Sequence, residues 1–406
     1  MNARSLSAYV HVPYCLRRCG YCDFNTYANL LLEPGASHYA DALISEINLT
    51  FGARGDDDTG FAPSRQYREN QGSRQLYSVF FGGGTPTVLP AADLGRILAA
   101  LDESYGLAPG AEVTVEANPD TVDAHYLRQL AAAGVTRVSL GMQSARAHVL
   151  KTLDRTHTQA NLAAAVLAAR ETGLDVSVDL IYGTPGETVA DWKASLEAAL
   201  DLGVTHISCY ALTVEPGTAL GRKVVHGEIP NVDPDDQADK YELADKVLSA
   251  AGLAWYELSN WAATGYECQH NLAYWHNQDW LGFGPGAHSH WGNTRYWNEK
   301  SPVKWSYALA AGQLGIAGGE RLSRVAMRLE AIMLGLRTRE GLDLQGSWLQ
   351  GANTAQRKSL SALINTLRAE GLLHEAHAET GRAVLTLSGR LLADLVTRRI
   401  YQALGD

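Results

Sequence analysis

Cysteine is scarce in this chain of 406 residues: there are five in all, and three of them lie together near the N-terminus. So few cysteines argue against a disulfide scaffold and favour a reducing compartment, where thiols stay available for metal. Charge is also sparse, at 19% of residues, and the net charge of -10 argues against a protein-wide nucleic-acid surface. We therefore predict no nucleic-acid partner.

Long hydrophobic runs are missing as well. No apolar stretch reaches the roughly 18 to 20 residues that a membrane-spanning helix requires. The beginning of the sequence lacks the basic and apolar segments of a secretion signal. These two features predict a cytoplasmic protein. Apolar residues make up 46% of the chain, which is enough for one large globular domain and a smaller one.

The most informative stretch holds Cys15, Cys19 and Cys22, spaced as C-x3-C-x2-C. Residues 8–13 alternate in polarity and predict a short strand that ends at Pro13, so the thiols follow in a loop. A structural zinc ion has four protein ligands, and no fourth Cys or suitably spaced His follows nearby. Three thiolates with one open position are the better interpretation, because an iron–sulfur cube held in this way leaves one iron free for a small ligand. The alternative is a surface loop with incidental or zinc-binding cysteines.

Strands and helices alternate regularly between residues 77 and 212, after a polar segment at 51–76 that predicts a surface insertion. This alternation predicts a parallel sheet covered by helices, curled into an α/β barrel of about six or seven units. An eightfold barrel needs more units than that. The predicted strands lie near 77–81, 111–116, 135–140, 174–181 and 205–212, and the predicted helices near 121–133, 158–172 and 187–202.

Polar residues and glycines follow the predicted strands at the points where these end. Ligands of α/β barrels bind at the carboxyl ends of the strands, so we expect these residues to face one mouth together with the cysteines. Taken singly, each has a plain alternative as a strand-end cap, an exposed charge or an ion-pair partner. The strand ends in question carry the glycine run at 82–84, Glu116, Gln143 and Asp179.

The cysteine spacing, with the aromatic Tyr21 directly before Cys22, resembles the signature of the radical S-adenosylmethionine (radical SAM) family. The resemblance implies a partial (β/α)6-type barrel in which the three cysteines hold a 4Fe-4S cluster. It also implies SAM at the open iron and a cellular reductant such as flavodoxin or ferredoxin. A reduced cluster would cleave SAM to methionine and a 5′-deoxyadenosyl radical. The residues leave open whether this chain turns SAM over and whether it acts as an enzyme.

The strand-end residues also match, in order and approximate spacing, the coproporphyrinogen-dehydrogenase-like branch of radical SAM proteins. In such proteins a glycine-rich run holds the methionine part of SAM, and the resemblance gives this role to Gly83, Gly84 and Thr85. It implies that Tyr9, Gly83 and Glu116 contact the cluster-bound SAM, and that Gln143, Arg155, Asp179 and Ala211 line the adjoining pocket.

Two features narrow the resemblance to a heme-chaperone branch of this family. The dehydrogenase has a further Cys two positions after the third, where this chain has Phe24. The run H-N-x-x-Y-W, which begins at His270, resembles the motif associated with heme binding in that branch. A neutral His270 could bind heme iron while Tyr274 and Trp275 lie against the macrocycle. The alternative is a hydrogen-bonded His270 among packed aromatic rings, and Cys268 is a further candidate thiolate or a small buried hydrophobe.

We divide the chain into three predicted parts. Residues 1–213 form the barrel, 214–319 form an aromatic-rich extension that binds substrate or heme, and 320–406 form a small winged-helix-like α+β domain. The charge excess of this last part is too small for a strong DNA footprint, so a lid or partner-docking role is preferred.

The first functional hypothesis is a heme chaperone that transfers heme to membrane-bound respiratory enzymes, as the resemblance implies. The second is an oxygen-independent coproporphyrinogen III dehydrogenase, in which a radical removes a hydrogen from a propionate side chain before decarboxylation. A third is radical SAM chemistry on an unrelated substrate. The oligomeric state, including a homodimer, stays open.

Overall fold

The structure is a computed structural model that describes residues 5–28, 38–52, 75–377 and 380–405. The surface insertion predicted at 51–76 lies almost entirely outside these residues. Within the described ranges, none of the helices has the length and apolar character needed to span a bilayer.

The described residues form strands and α-helices that are numbered here in chain order. Strands β1 to β16 are Leu6–Val12, Tyr14–Cys15, Tyr27–Ala28, Leu76–Gly83, Leu107–Ala117, Arg137–Gln143, Asp175–Tyr182, His206–Ala211, Ala254–Glu257, Asn260–Ala262, Asp279–Phe283, His288–Trp291, Thr294–Asn298, Ile316–Arg321, Leu342–Asp343 and Arg382–Ala383. Helices α1 to α14 are Tyr39–Gly52, Ala91–Tyr105, Ala124–Ala132, Ala147–Thr152, Gln159–Glu171, Val189–Asp201, Ala219–Val225, Pro234–Ala250, Gln269–Trp275, Pro302–Ala310, Arg324–Leu336, Thr354–Ala369, Leu387–Leu391 and Ala393–Gln402.

A twelve-stranded sheet organises the fold, in the order β14-β13-β12-β11-β1-β4-β5-β6-β7-β8-β10-β9. Strands β1, β4, β5, β6, β7 and β8 pair with one another in parallel. Helices lie between these strands in the sequence, as crossover connections of a parallel sheet require. The predicted α/β class and the partial six-stranded barrel are therefore confirmed. In the part of the chain that the structure describes, the sheet ends at β14 and β9 and does not close.

The two faces of the barrel strands differ sharply in polarity. On one face, fully buried apolar side chains such as Val115, Leu140 and Val178 pack beneath the helices. The other face borders a cavity and carries polar side chains such as Ser139 and Ser177. Successive side chains of a strand point to opposite faces of the sheet. Each barrel strand therefore has an apolar face under the helices and a polar face towards the cavity. This polar side forms the wall of the candidate site.

The region after residue 213 extends the same sheet on both sides. At one edge, β10 and β9 add antiparallel strands next to β8. At the other edge, β11 pairs with β1 in parallel, and β12, β13 and β14 continue as antiparallel strands. The sequence pattern predicted no further parallel strand here. The aromatic-rich extension is thus continuous with the barrel sheet.

A second hydrophobic core lies in the C-terminal part of the chain. It contains Ile332, Leu336, Ile364, Leu367 and other buried side chains of helices α11, α12 and α14. Helices α11 and α12 each turn a row of buried apolar side chains towards this core. A small two-stranded sheet, β15 with β16, packs beside them. The winged-helix likeness and the three domain boundaries stay predictions.

Arg390 joins this C-terminal unit to residues of the 214–319 segment. Its guanidinium lies 4.4 Å from the ring centre of Trp255 and 5.5 Å from that of Tyr241. It also forms a 2.9 Å ion pair with Asp245, and both side chains are largely buried. Removing one partner of such a buried ion pair leaves the other charge buried without compensation, which destabilises the fold.

We expect Arg390→Ala to lower the free energy of unfolding by about 2 kcal/mol, because Asp245 would lose its buried partner. The measurement is urea denaturation of the cluster-free protein, followed by tryptophan fluorescence. Arg398→Ala, at an exposed position of α14, is the control and should leave the transition unchanged. If both variants lowered the free energy of unfolding by the same amount, the stabilising role assigned to the Arg390–Asp245 pair would be wrong.

Candidate functional site

A cavity of about 610 Å3 lies at the carboxyl ends of the barrel strands. Ligand sites of parallel α/β sheets are found at this end. The residues predicted from the sequence to hold the cluster, SAM or the heme iron line this one cavity, whereas Trp275, expected to lie against the macrocycle, is not among its lining residues. The predicted residues that line the cavity are Tyr9, Cys15, Cys19, Tyr21, Cys22, Gly83, Gly84, Thr85, Glu116, Gln143, Arg155, Asp179, Ala211 and His270.

The three clustered cysteines are free thiols at the rim of this cavity. The hydroxyl of Thr85 donates to the Cys15 sulfur at 3.7 Å, and Arg155 Nη1 donates to the Cys19 sulfur at 3.6 Å. Burial raises the pKa of the Cys15 thiol, and the nearby thiols of Cys22 and Cys19 raise it further, against the hydrogen bond from Thr85. Three thiolates in this position therefore require a cation to share their charge.

A single metal ion and an iron–sulfur cluster differ in how their ligands are arranged. Among the described residues, no group of three His, Cys, Asp or Glu side chains is placed to hold one metal ion. In a zinc site every sulfur lies about 2.3 Å from the same ion, so the sulfurs crowd together. Cysteines that bind an iron–sulfur cluster each bind a different iron and lie farther apart. Cys15, Cys19 and Cys22 stay the predicted ligands of such a cluster.

The glycine run packs directly against the strand that carries the first cysteine. The Gly84 N–H donates to the Val12 carbonyl at 2.7 Å, and the Thr85 N–H donates to the Tyr14 carbonyl at 2.8 Å. A Cβ atom on Gly84 would lie 2.5 Å from the Tyr14 oxygen and 3.0 Å from the Cys15 sulfur. Only glycine permits this close approach. The run thus brings backbone polar groups beside the cluster position.

Two half-buried carboxylates line the cavity. Glu116 accepts a hydrogen bond from the Gly83 N–H at 3.1 Å, and Asp179 accepts one from the Ser139 hydroxyl at 2.9 Å. Burial, followed by the charge of Asp179, raises the pKa of Glu116 to about 8. Burial also raises the pKa of Asp179. A cationic ligand between them would favour the ionised forms of both.

Gln143 and Arg155 bring unused hydrogen-bonding capacity to the same cavity. Gln143 has a φ of 55°, which is uncommon for a residue with a side chain and is typical of functional sites. Within the described part of the chain, Gln143 Oε1 and Arg155 Nε are buried without a hydrogen-bond partner. Arg155 Nη2 donates to the Gly141 carbonyl at 3.1 Å, which fixes the guanidinium. Orphaned polar atoms of this kind fit a polar ligand such as SAM.

His270 lies at the inner end of the cavity, on the short helix α9, and is 1% exposed. Its Nδ1 is hydrogen-bonded to the Ser78 hydroxyl at 2.9 Å and its Nε2 to the Tyr274 hydroxyl at 2.8 Å. Burial lowers the pKa of His270 to about 3, so the imidazole is neutral. One of these two hydrogen bonds would have to break for His270 to bind iron.

Cys268, the other candidate ligand in this segment, is buried and donates from its sulfur to Glu112 at 3.3 Å. Burial raises the pKa of this thiol well above its usual value. The same Glu112 carboxylate accepts the backbone N–H groups of Gln269 and His270, each at 3.1 Å. A barrel strand thereby fixes the start of the H-N-x-x-Y-W helix.

The sequence prediction missed several cavity residues that lie deeper on the barrel strands. Each stands two positions away from another residue of the cavity, so the period of two along a strand was the signal that could have found them. These residues are Thr114, Arg137, Ser139, Ser177, His206 and Ser208.

Comparison with known proteins shows which family this chain resembles. Residues 9–199 match the model of the Radical SAM superfamily. The solved structure of coproporphyrinogen III oxidase (HemN) from Escherichia coli, described as a radical SAM enzyme, superimposes with a TM-score of 0.78. The two sequences are 23% identical, and the superposition covers 98% of this chain and 90% of the HemN chain. This similarity shows that the two chains share a fold. The fold and the site together define a radical SAM protein, a class that carries a 4Fe-4S cluster and SAM.

Curated relatives are closer in sequence. A protein named heme chaperone HemW from Mycobacterium tuberculosis is 44% identical over 402 residues, covering 98% of this chain and 96% of that protein. The Bacillus subtilis protein of the same name is 32% identical over 395 residues, covering 96% of this chain and 97% of that protein. The chain belongs to the HemW family of radical SAM proteins.

We expect Cys19→Ala to lose most of the iron and sulfide that the wild-type protein takes up on anaerobic reconstitution, because one iron would lack its thiolate. The readouts are iron and sulfide per chain and the absorbance of the thiolate-bound cluster. Cys209→Ala is the matched control, since Cys209 is fully buried in the hydrophobic core. A wild-type cluster content in Cys19→Ala would refute the ligand assignment.

A second expectation concerns the pH dependence of SAM binding. Below about pH 8 Glu116 holds a proton, and the positive charge of SAM favours the release of that proton. Affinity should therefore rise as the pH increases towards about 8 and then level off.

Calorimetric titration of the cluster-loaded protein at several pH values measures this dependence. Glu116→Gln should bind SAM more weakly. The part of the pH-dependent rise in SAM affinity that comes from the Glu116 carboxyl should also disappear. Glu215→Gln, at another carboxylate of the cavity, should keep the wild-type profile. An unchanged pH profile in Glu116→Gln would exclude Glu116 as the titrating group.

Proposed function

We propose that this protein is a cytoplasmic heme chaperone that binds heme close to a SAM-ligated 4Fe-4S cluster and delivers it to membrane-bound respiratory enzymes. The observation that carries the proposal is the similarity, over nearly the whole chain, to proteins named heme chaperone. Because the similarity extends through the aromatic-rich segment, it includes the region in which heme binding is expected.

The geometry of the large cavity supports the proposal. Its rim holds the three cysteines together with Phe24, which is 61% exposed. Its inner end is closed by His270, Asn271 and Tyr274 of the H-N-x-x-Y-W segment. The cluster ligands and the segment associated with heme therefore border the same cavity, so a bound cluster and a bound heme would lie close together.

Each group of site residues has a separate proposed task. Cys15, Cys19 and Cys22 would hold the cluster, which supplies an electron to SAM when a reductant such as flavodoxin or ferredoxin has reduced it. The backbone of the glycine run would bind the methionine part of SAM. The carboxylates of Glu116 and Asp179 would bind or stabilise its positive charges. The remaining predicted cavity residues would orient the molecule: Tyr9, Tyr21, Gln143, Arg155 and Ala211.

Coproporphyrinogen III dehydrogenase activity is the second candidate function. The common radical SAM fold favours it, but a shared fold does not establish an activity. Phe24 counts against it, because the dehydrogenase signature has a cysteine at that position. We accordingly expect no dehydrogenase activity.

To compare the two functions, the reconstituted protein is incubated anaerobically with coproporphyrinogen III, SAM and a reductant, and is titrated in parallel with hemin. We expect saturable hemin binding and no decarboxylated product. Formation of protoporphyrinogen IX would overturn the chaperone proposal. The cluster-free Cys19→Ala variant serves as the control for any product that does not depend on the cluster.

The transfer step needs its own measurement. Heme-loaded protein is mixed with membrane vesicles that contain heme-depleted respiratory enzymes. We expect the heme spectrum of the acceptor to appear faster than with the same concentration of free hemin. Equal rates would show that the protein gives no specific delivery.

A further inference from the structure

A second, smaller cavity of about 330 Å3 lies behind one wall of the large one. Both cavities are bordered by Tyr9 and Tyr274. Aromatic or imidazole rings dominate the lining of the smaller cavity, which suits a flat, largely apolar ligand better than a sugar or a phosphate. Its lining residues are Tyr9, His11, Tyr274, Trp280, Gly286 and His288.

The imidazoles near this cavity differ in whether their nitrogens are already engaged. His11 is buried, with Nδ1 bonded to the Tyr9 hydroxyl and Nε2 to the Asn25 carbonyl, each at 3.0 Å. His270 likewise uses both ring nitrogens. His288 is exposed, and among the described residues neither of its ring nitrogens has a hydrogen-bond partner. It is the imidazole of this cavity that can bind a metal without breaking an existing bond.

The surroundings of His288 hold its ring in place. It projects from strand β12 and stacks on Trp297 with the ring centres 5.6 Å apart and an angle of 28° between the planes. Its backbone carbonyl accepts a 3.0 Å hydrogen bond from Trp280 Nε1. Partial burial of the ring, and then the charges of Lys300 and Arg295, lower the pKa of His288. The ring is therefore neutral at neutral pH, the form that binds metals.

We propose that this smaller cavity takes one edge of heme and that His288 binds the heme iron as an axial ligand. The inference rests on the proposed heme-chaperone function and assigns the iron to a residue other than His270. The rings of Tyr274 and Trp280 offer apolar contact to the macrocycle. The Lys300 ammonium, close enough to affect His288, offers a partner for a propionate.

The exposure of the site is consistent with carried heme. Trp280 and Gly286 are partly exposed and His288 is exposed, so a macrocycle held there would keep part of its surface in contact with solvent. The residence time of a bound heme depends on how much of its surface is buried and on how many bonds to the protein must break when it leaves. A heme that is to be transferred therefore needs a partly open site. A fully enclosed pocket would not offer this.

Titrations with hemin and with metal-free protoporphyrin IX test the proposal on the cluster-loaded protein. His288→Ala should weaken hemin binding by about tenfold or more, as expected for the loss of a metal ligand. The same variant should leave metal-free protoporphyrin binding close to wild type, because no iron is present to bind. Added imidazole should restore the axial-ligand signature in the absorbance and electron paramagnetic resonance spectra of His288→Ala. His226→Ala, an exposed histidine elsewhere on the surface, is the matched control and should behave as wild type.

The outcomes separate this inference from the proposed function. If wild-type protein binds no hemin, the chaperone proposal itself fails. If it binds hemin and His288→Ala has wild-type affinity and spectrum, only the assignment of His288 is overturned. Loss of the wild-type spectrum in His270→Ala, restored there by imidazole while His288→Ala stays normal, would place the iron on His270. Cluster content and circular dichroism identify any variant that fails to fold.

Discussion

Hydrogen bonding among buried polar side chains on the concave face of the sheet is the constraint on which the rest of the structure depends. Glu112 and Arg137, on neighbouring strands, form a buried ion pair at 3.4 Å. Nearer the mouth, the Ser177 hydroxyl donates to Ser139, which donates to Asp179, each at 2.9 Å. Groups buried in this way are costly unless paired, so the strands keep a fixed register and the site is organised before any ligand arrives.

The same network ties the barrel to the aromatic-rich extension. Arg137 Nη2 donates to the Tyr266 carbonyl at 2.8 Å, while Glu112 binds the start of the helix that carries His270. On the opposite side, the buried Glu46 accepts the Gly284 N–H at 2.7 Å and the Asn298 side chain at 2.6 Å. Barrel and extension thus form one continuous scaffold around both cavities.

The sequence predicted the parts of this molecule that depend on local pattern. The cysteine spacing, the six parallel strands and the strand-end residues Glu116, Gln143 and Asp179 follow from short stretches of chain and one rule about parallel sheets. Strand β11 was missed because it pairs with β1, about 270 positions away, and has no crossover helix pattern beside it. The free imidazole of His288 was not apparent either, since only the folded chain shows that neighbouring histidines already have partners.

Tyr9 and Tyr274 belong to the walls of both cavities, and the Tyr274 hydroxyl is also bonded to His270. A ligand that moves either ring in one cavity reshapes the wall of the other. Occupancy of the two sites would then be thermodynamically linked, and the linkage is equal in both directions. SAM in the large cavity would change the affinity for a porphyrin in the small one by the same factor as the porphyrin changes that for SAM. Through these two shared rings, the two cavities would act as one coupled binding unit.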